Sequence, residues 1–302
     1  MAAKSEATTP TTDAGKGPSR KGGKRADGNG RRRGSIAEKA DLLELYENSV
    51  MAPEEDCAFF DELYRKLRKK KPLVLREDFC GTAKIATAWC AGGKKRRAIG
   101  VDLDEPTLEW GRKRNVEAAG LEDRVDLVVG DVLDPVAHKA DVTCANNFSY
   151  CIFKKREELK AYLESALAGL NEKGMLFLEI YGGSDAMKEC KEERDLDDML
   201  YIWDQHAFDP LTHETLCYIH YHFPDGSKIK RAFTYDWRLW TIPELRDLLL
   251  EVGFKDVRLY WEGLEDEADD DGIFYGNGEY EDVTGVELEQ QETFLVYVVG
   301  LK

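Results

Sequence analysis

Residues 73–83 read Leu73-Val74-Leu75-Arg76-Glu77-Asp78-Phe79-Cys80-Gly81-Thr82-Ala83. The apolar run Leu73 to Leu75 predicts a short buried strand, Glu77 to Thr82 a turn, and Ala83 to Ala91 a helix. The turn holds a single glycine and two carboxylates. A pyrophosphate cradle needs the G-x-G-x-x-G pattern, because backbone amides must approach the phosphate oxygens closely. This turn suits a ligand that carries positive charge and a ribose but no phosphate.

The strand-then-helix unit repeats downstream. Ala98 to Val101 reads as a strand ending at Asp102, with a helix through Leu108, Trp110 and Val116. Val125 to Val129 ends at Gly130-Asp131, and Ala140 to Ala145 ends at Asn146-Asn147. Leu159, Tyr162, Leu163, Ala166, Leu167 and Leu170 recur at helical spacing, and a fifth strand, Met175 to Tyr181, carries Glu179. Such alternation specifies a parallel sheet with helices on both faces, whose ligands sit at the carboxyl ends of the strands. Thr241 with Glu244 forms a capping box, and Gly253 caps the helix that buries Leu245, Leu248 and Leu249. Val257 to Trp261 and Phe294 to Leu301 read as an antiparallel pair that completes the sheet.

Upstream, Ser35 and Glu38 fit a capping box, and Ile36, Leu43 and Tyr46 share one helical face. A second helix, Pro53 to Lys70, buries Phe59, Phe60, Leu63 and Leu67. Residues 1–34 contain no aromatic, Leu, Ile or Val side chain, so nothing there offsets the entropy of ordering. This basic tail is expected to be disordered, and the folded unit to span 35–302, with N-terminal helices at 35–71. No apolar stretch follows the basic residues, which predicts no secretory signal.

The chain has 302 residues and a formal charge of −16. That balance argues against a bulk nucleic-acid partner on electrostatic grounds. The longest apolar run, Phe294 to Val299, falls far short of the ~20 residues of a membrane span. Seven scattered cysteines, none in a C-x-x-C pair, indicate neither a disulfide framework nor a zinc ribbon. A reducing compartment, the cytoplasm, is the expected location.

With these motifs in place, the sequence resembles the class I S-adenosylmethionine-dependent methyltransferases from about Leu73 to Gly253. The resemblance implies a Rossmann-like α/β fold: a seven-stranded sheet with helices on both faces and an antiparallel last strand. It implies S-adenosylmethionine as the cofactor. Glu77 would lie near the methionine amino group, and Phe79, Cys80 and Gly81 would form the turn along which the methionine part passes. Asp102 would accept the ribose hydroxyls, Asp131 would meet the adenine amino group, and Leu103 and Val132 would flank the ring. Phe79 and Ala83 stand where the family usually has glycine. After the fourth strand, Asn146-Asn147-Phe148-Ser149-Tyr150 replaces the Asn-Pro-Pro-Tyr-like motif of relatives that methylate amide or base nitrogens. The missing prolines argue against a DNA or protein-glutamine acceptor and leave Asn146, Ser149 and Tyr150 to position the acceptor.

An insertion, residues 184–236, separates the fifth strand from the last helix. Its centre reads as a β-hairpin turning at Pro224-Asp225-Gly226-Ser227. Alternation places Tyr218, His220 and His222 on one face and Ile219, Tyr221 and Phe223 on the other. His206, His220, His222, Tyr218 and Tyr235 form the pool for acceptor contacts, with His220 as a catalytic candidate; alternatively the insertion is an aromatic lid or the face of a homodimer. A metal at His220 and His222 would lack further ligands, so none is expected. Glu262 to Glu292 carries thirteen acidic residues and no Lys or Arg, and reads either as a mobile loop over the site that favours cationic acceptors or as a solvated acidic loop. The expected activity is methyl transfer to an N or O atom of a small molecule. A methyltransferase acting on protein or RNA, or a non-catalytic cofactor-binding module, are the alternatives.

Overall fold

A computed structural model describes residues 34–135, 138–264 and 276–302. The tail reading for 1–34 therefore falls outside the described residues except at Gly34, as does the reading of the acidic segment between 265 and 275.

Five strands run parallel: β1 Val74–Asp78, β2 Arg97–Asp102, β3 Val125–Val129, β4 Ala140–Ala145 and β5 Leu170–Gly182. Their spatial order is β3-β2-β1-β4-β5, so the chain winds outward from β1, then returns to the other side of it. That reversal opens a crevice between β1 and β4 at the carboxyl edge. An accessory sheet follows, made of β6 Cys190–Leu196, β7 Met199–Phe208, β8 Glu214–His222 and β9 Lys228–Arg238. The chain then returns to the large sheet with β10 Asp256–Leu264, β11 Gly276–Asp282 and β12 Phe294–Leu301, where β12 lies antiparallel between β5 and β10.

The helices are α1 Ile36–Lys39, α2 Leu42–Val50, α3 Pro53–Arg68, α4 Lys84–Ala91, α5 Glu105–Gly111, α6 Arg156–Gly169 and α7 Ile242–Val252. Both expected capping boxes form, at Ser35/Glu38 and Thr241/Glu244, and Gly253 ends α7 at φ 111°. Phe60, Tyr64, Leu75, Trp89 and Phe177 fill the sheet face under α3 and α4. Tyr162, Leu163, Leu178, Leu248 and Val298 fill the opposite face under α6 and α7. No described helix is long and apolar enough to cross a membrane.

Several expected boundaries move. Glu77 and Asp78 belong to β1 rather than to the turn, because Gly100 and Val101 of β2 pair with them. The first helix is two pieces, since Ala40 is extended and Asp41 caps α2 by accepting the amides of Leu43 and Glu44. The insertion is a four-stranded sheet, of which the expected hairpin forms β8 and β9; β6 is a charged edge strand held by its pairing with β7. Part of the acidic segment, Gly276–Asp282, is strand β11, paired with β10 and anchored by the Tyr280 ring, which packs tilted against Phe59 and edge-on to Tyr297.

Candidate cofactor and acceptor site

The turn after β1 alternates in handedness. Phe79 (φ 57°), Gly81 (φ 49°) and Ala83 (φ 57°) are all left-handed. A non-glycine residue pays about 1–2 kcal/mol for that conformation. The two departures from the glycine pattern thus keep the glycine backbone. Phe79 is held there by its ring, 5.5 Å from Tyr162 and 5.9 Å from Phe153. The Cys80 amide donates to the Val101 carbonyl at 3.0 Å and the Gly81 amide to Asp102 Oδ2 at 2.8 Å, so β2 fixes the turn from the side. A Cβ on Gly81 would meet nothing closer than 3.9 Å, so the space beside it is open.

The acids at the strand ends divide by environment. Glu77 is buried and its Oε2 accepts the Ala86 amide at 2.7 Å, bracing the first turn of α4. Burial pushes its carboxyl up to about 8. It is turned under the helix instead of opening onto the crevice. Asp78 pairs with buried Arg76 at 2.5 Å and accepts from Tyr162 Oη at 3.1 Å, while Arg76 Nη2 donates to the Val132 carbonyl, tying β1 to α6 and to the end of β3. Asp102 is half-buried; its Oδ1 accepts the Asp104 amide at 2.9 Å, and desolvation raises its pKa. The Gly130 amide donates to the Asp102 carbonyl at 2.9 Å, which brings the half-buried Asp131 to the neighbouring strand end. Leu103, 58% exposed, lies beside Val129, 54% exposed, at the same edge; Val132 and Cys80 are buried. Val129 was not singled out in the sequence because it reads as an ordinary strand residue.

A second set gathers at the ends of β4, β5 and β10. Asn146 Nδ2 donates to Tyr297 Oη at 2.7 Å, and that hydroxyl donates to Asp56 Oδ1 at 2.6 Å. Asn147, in a left-handed conformation, donates its amide to Glu179 Oε2 at 2.5 Å. A cavity of about 330 Å³ is lined by Glu55, Asp56, Asn146, Glu179, Arg194 and Glu262 among others. Burial raises the pKa of both Asp56 and Glu179, with Glu55 adding to it at Asp56 and Asp56 adding to it at Glu179. Glu55 and Asp56 were missed because acids in the first turn of a helix ordinarily complement its dipole.

The remaining expected acceptor contacts are dispersed. Tyr150 is fully buried and its hydroxyl donates to the Glu179 carbonyl at 2.9 Å; it braces the end of β5. Ser149 Oγ donates to the Asn146 carbonyl. In the accessory sheet the faces alternate as expected, but Ile219 and Tyr221 face inward, packing with Tyr46 and Leu45 of α2. Tyr218, His220 and His222 consequently face away from that core. His220 Nδ1 accepts the Arg231 amide at 3.0 Å, and Nε2 lies 3.1 Å from Asp204 Oδ2, so both ring nitrogens are engaged and burial lowers its pKa. His206 stands against Tyr218 on the same outer side. Tyr235 is on the inner face, against Trp203 and Trp237, and Phe148 lies between Trp237 and Tyr181.

No protein-family model and no curated protein matches the sequence. The fold is similar to that of solved structures. One is an S-adenosylmethionine-dependent methyltransferase from Clostridium acetobutylicum: 18% identity, covering 88% of this chain and 99% of that one, TM-score 0.61. Another is CalS10, an amino pentose methyltransferase from Micromonospora echinaspora: 13% identity, 89% and 99% covered, TM-score 0.56. A third is the sugar N-methyltransferase KedS8 from Streptoalloteichus: 14% identity, 95% and 99% covered, TM-score 0.56. From its strand order and these likenesses, the chain has the Rossmann-like fold of the class I S-adenosylmethionine-dependent methyltransferases.

Proposed function

We propose that this protein is an S-adenosylmethionine-dependent methyltransferase acting on an N or O atom of a small molecule. The observation that carries the reading is the Asp102 carboxylate clamped to the Gly81 amide, on a turn with three left-handed residues and open space beside its glycine. The donor set fits the cofactor's chemistry: carboxylates at successive strand ends, an exposed apolar edge, and no run of amides for a phosphate.

Asp102 holds the ribose hydroxyls with the lone pairs its two amide bonds leave free. Leu103 and Val132 flank the adenine, and Asp131 takes its amino group. Gly81 leaves a path for the methionine part, and Asn146 marks the junction between cofactor and acceptor. When bound, the cofactor supplies a methyl group on a sulfonium, an electrophile with its leaving group attached. The residues of this chain contribute mainly alignment, an effect worth up to ~7–11 kcal/mol. The aromatic layer of Phe148, Tyr181, Trp203, Tyr235 and Trp237 keeps water from the reacting atoms. The similarity of the fold to an amino pentose methyltransferase and a sugar N-methyltransferase supports a small-molecule acceptor.

The test is incubation with methyl-labelled S-adenosylmethionine and a fractionated metabolite pool, followed by mass analysis. A labelled small molecule is expected; label on protein or RNA alone, or none anywhere, contradicts the reading.

A further inference from the structure

Taking the methyltransferase reading as its basis, we infer that the acceptor is a cationic amine, seated in the cavity bounded by the start of α3 and the ends of β4, β5 and β10, with Glu179 receiving its proton.

The cavity places four carboxylates, Glu55, Asp56, Glu179 and Glu262, against one cation, Arg194. That guanidinium is already engaged, donating to the Ser49 carbonyl at 3.0 Å and lying 4.5 Å from the Tyr201 ring centre. The remaining field is negative; Glu179 is buried and Asp56 half-buried. Buried carboxylates without a cation are costly, so the arrangement calls for a positive guest. A second observation points the same way. Asn146 is 8% exposed and lines the cavity, its amide nitrogen is committed to Tyr297, and its Oδ1 has no partner among the described residues. That oxygen lacks a hydrogen-bond donor. An ammonium group brings donors and charge together; an alcohol brings one donor and no charge. The volume of about 330 Å³ accommodates a small organic amine.

The groups facing the guest from each packed element are those carboxylates, Arg194 from β6, and the phenols of Tyr280 on β11 and Tyr297 on β12. Burial and the Asp56 charge hold Glu179 above the usual carboxylate range, which brings it toward the neutral pH at which a base is effective. An N–H proton of the ammonium passes to a Glu179 oxygen. The freed lone pair forms the N–C bond as the methyl C–S bond breaks, its electron pair staying on sulfur in a neutral thioether. The product is an N-methylammonium ion, and Glu179 then releases its proton to water.

The experiment is calorimetric titration of the full-length protein, saturated with S-adenosylhomocysteine, using matched probes: benzylamine against benzyl alcohol, and glucosamine against glucose. At least one amine is expected to bind on the order of tenfold or more tighter than its alcohol. In buffers of different ionisation heat at pH 7, its binding should release protons. Glu179→Gln and, independently, Asp56→Asn should remove that preference while S-adenosylhomocysteine affinity stays within about twofold, with melting curves showing both variants folded. Amines binding no better than their alcohols, or binding of neither, overturns the inference. So does loss of S-adenosylhomocysteine affinity in Glu179→Gln, which would assign the cavity to the cofactor's own amino group. Absence of S-adenosylhomocysteine binding by the unmutated protein would instead sink the methyltransferase reading itself.

Discussion

Asp102 Oδ2 accepts the Gly81 amide at 2.8 Å, so the carboxylate that ends the second strand also closes the turn after the first. The end of β2 and the turn after β1 are thereby one mechanical unit.

Replacing Asp102 with Ala removes this clamp together with the proposed acceptor for two ribose hydroxyls. Charge-assisted hydrogen bonds are worth about 1.5–3 kcal/mol each, so affinity for S-adenosylhomocysteine is expected to fall by roughly two orders of magnitude or more. Calorimetric titration checks this, and near-normal affinity would show that the ribose lies elsewhere.

Gly81→Ala separates backbone cost from ligand cost. The left-handed φ of 49° makes alanine unfavourable by about 1–2 kcal/mol, but no atom lies within 3.9 Å of the added carbon. A modest drop in Tm is expected beside a loss of cofactor affinity of more than about tenfold, because the methyl group occupies the ligand's path. Equal affinity in the two proteins would place that path elsewhere.

Glu77→Gln probes the buried carboxyl under α4. Its folded pKa, about 8, lies above its unfolded value, so the stability its neutral form confers is present at pH 4 and is lost as pH rises through 8. Glutamine cannot ionise and keeps an oxygen for the Ala86 amide. From pH 4 to pH 9 the stability difference should shift toward the Gln variant by up to roughly 5 kcal/mol. Chemical denaturation at both pH values measures it; a difference that does not change with pH refutes the assignment.

Tyr150→Phe deprives the Glu179 carbonyl of its buried donor. The expected result is a loss of about 1–3 kcal/mol in stability with cofactor affinity unchanged. If turnover falls with no change in stability, Tyr150 meets the acceptor after all.

The parallel part of the sheet was legible because its signal is local: β2, β3 and β4 are short, largely apolar runs, with Asp102 at the end of β2 and Asp131 and Asn146 just past β3 and β4, at the carboxyl edge. The charged strand β6 and the glycine-rich strand β11 carry no such signal; each is a strand because a neighbour offers a ladder of hydrogen bonds. Alternation correctly separated His220 from Tyr221. Which of the two faces is buried depends on contact with α2, well over a hundred residues away, although Ile219, Tyr221 and Phe223 are the more apolar set. The same holds for the acidic cavity. Asp56 resembles any first-turn carboxylate until Tyr297, 241 residues later, is found donating to it.

In the proposed function, the acids crowning adjacent strands receive a phosphate-free adenosyl group. Titrating the unmutated protein with S-adenosylhomocysteine and, separately, with NAD tests it most directly. One molecule of S-adenosylhomocysteine per chain, displaced by neither NAD nor ADP, is the expected result; saturable NAD binding with no response to S-adenosylhomocysteine would contradict it.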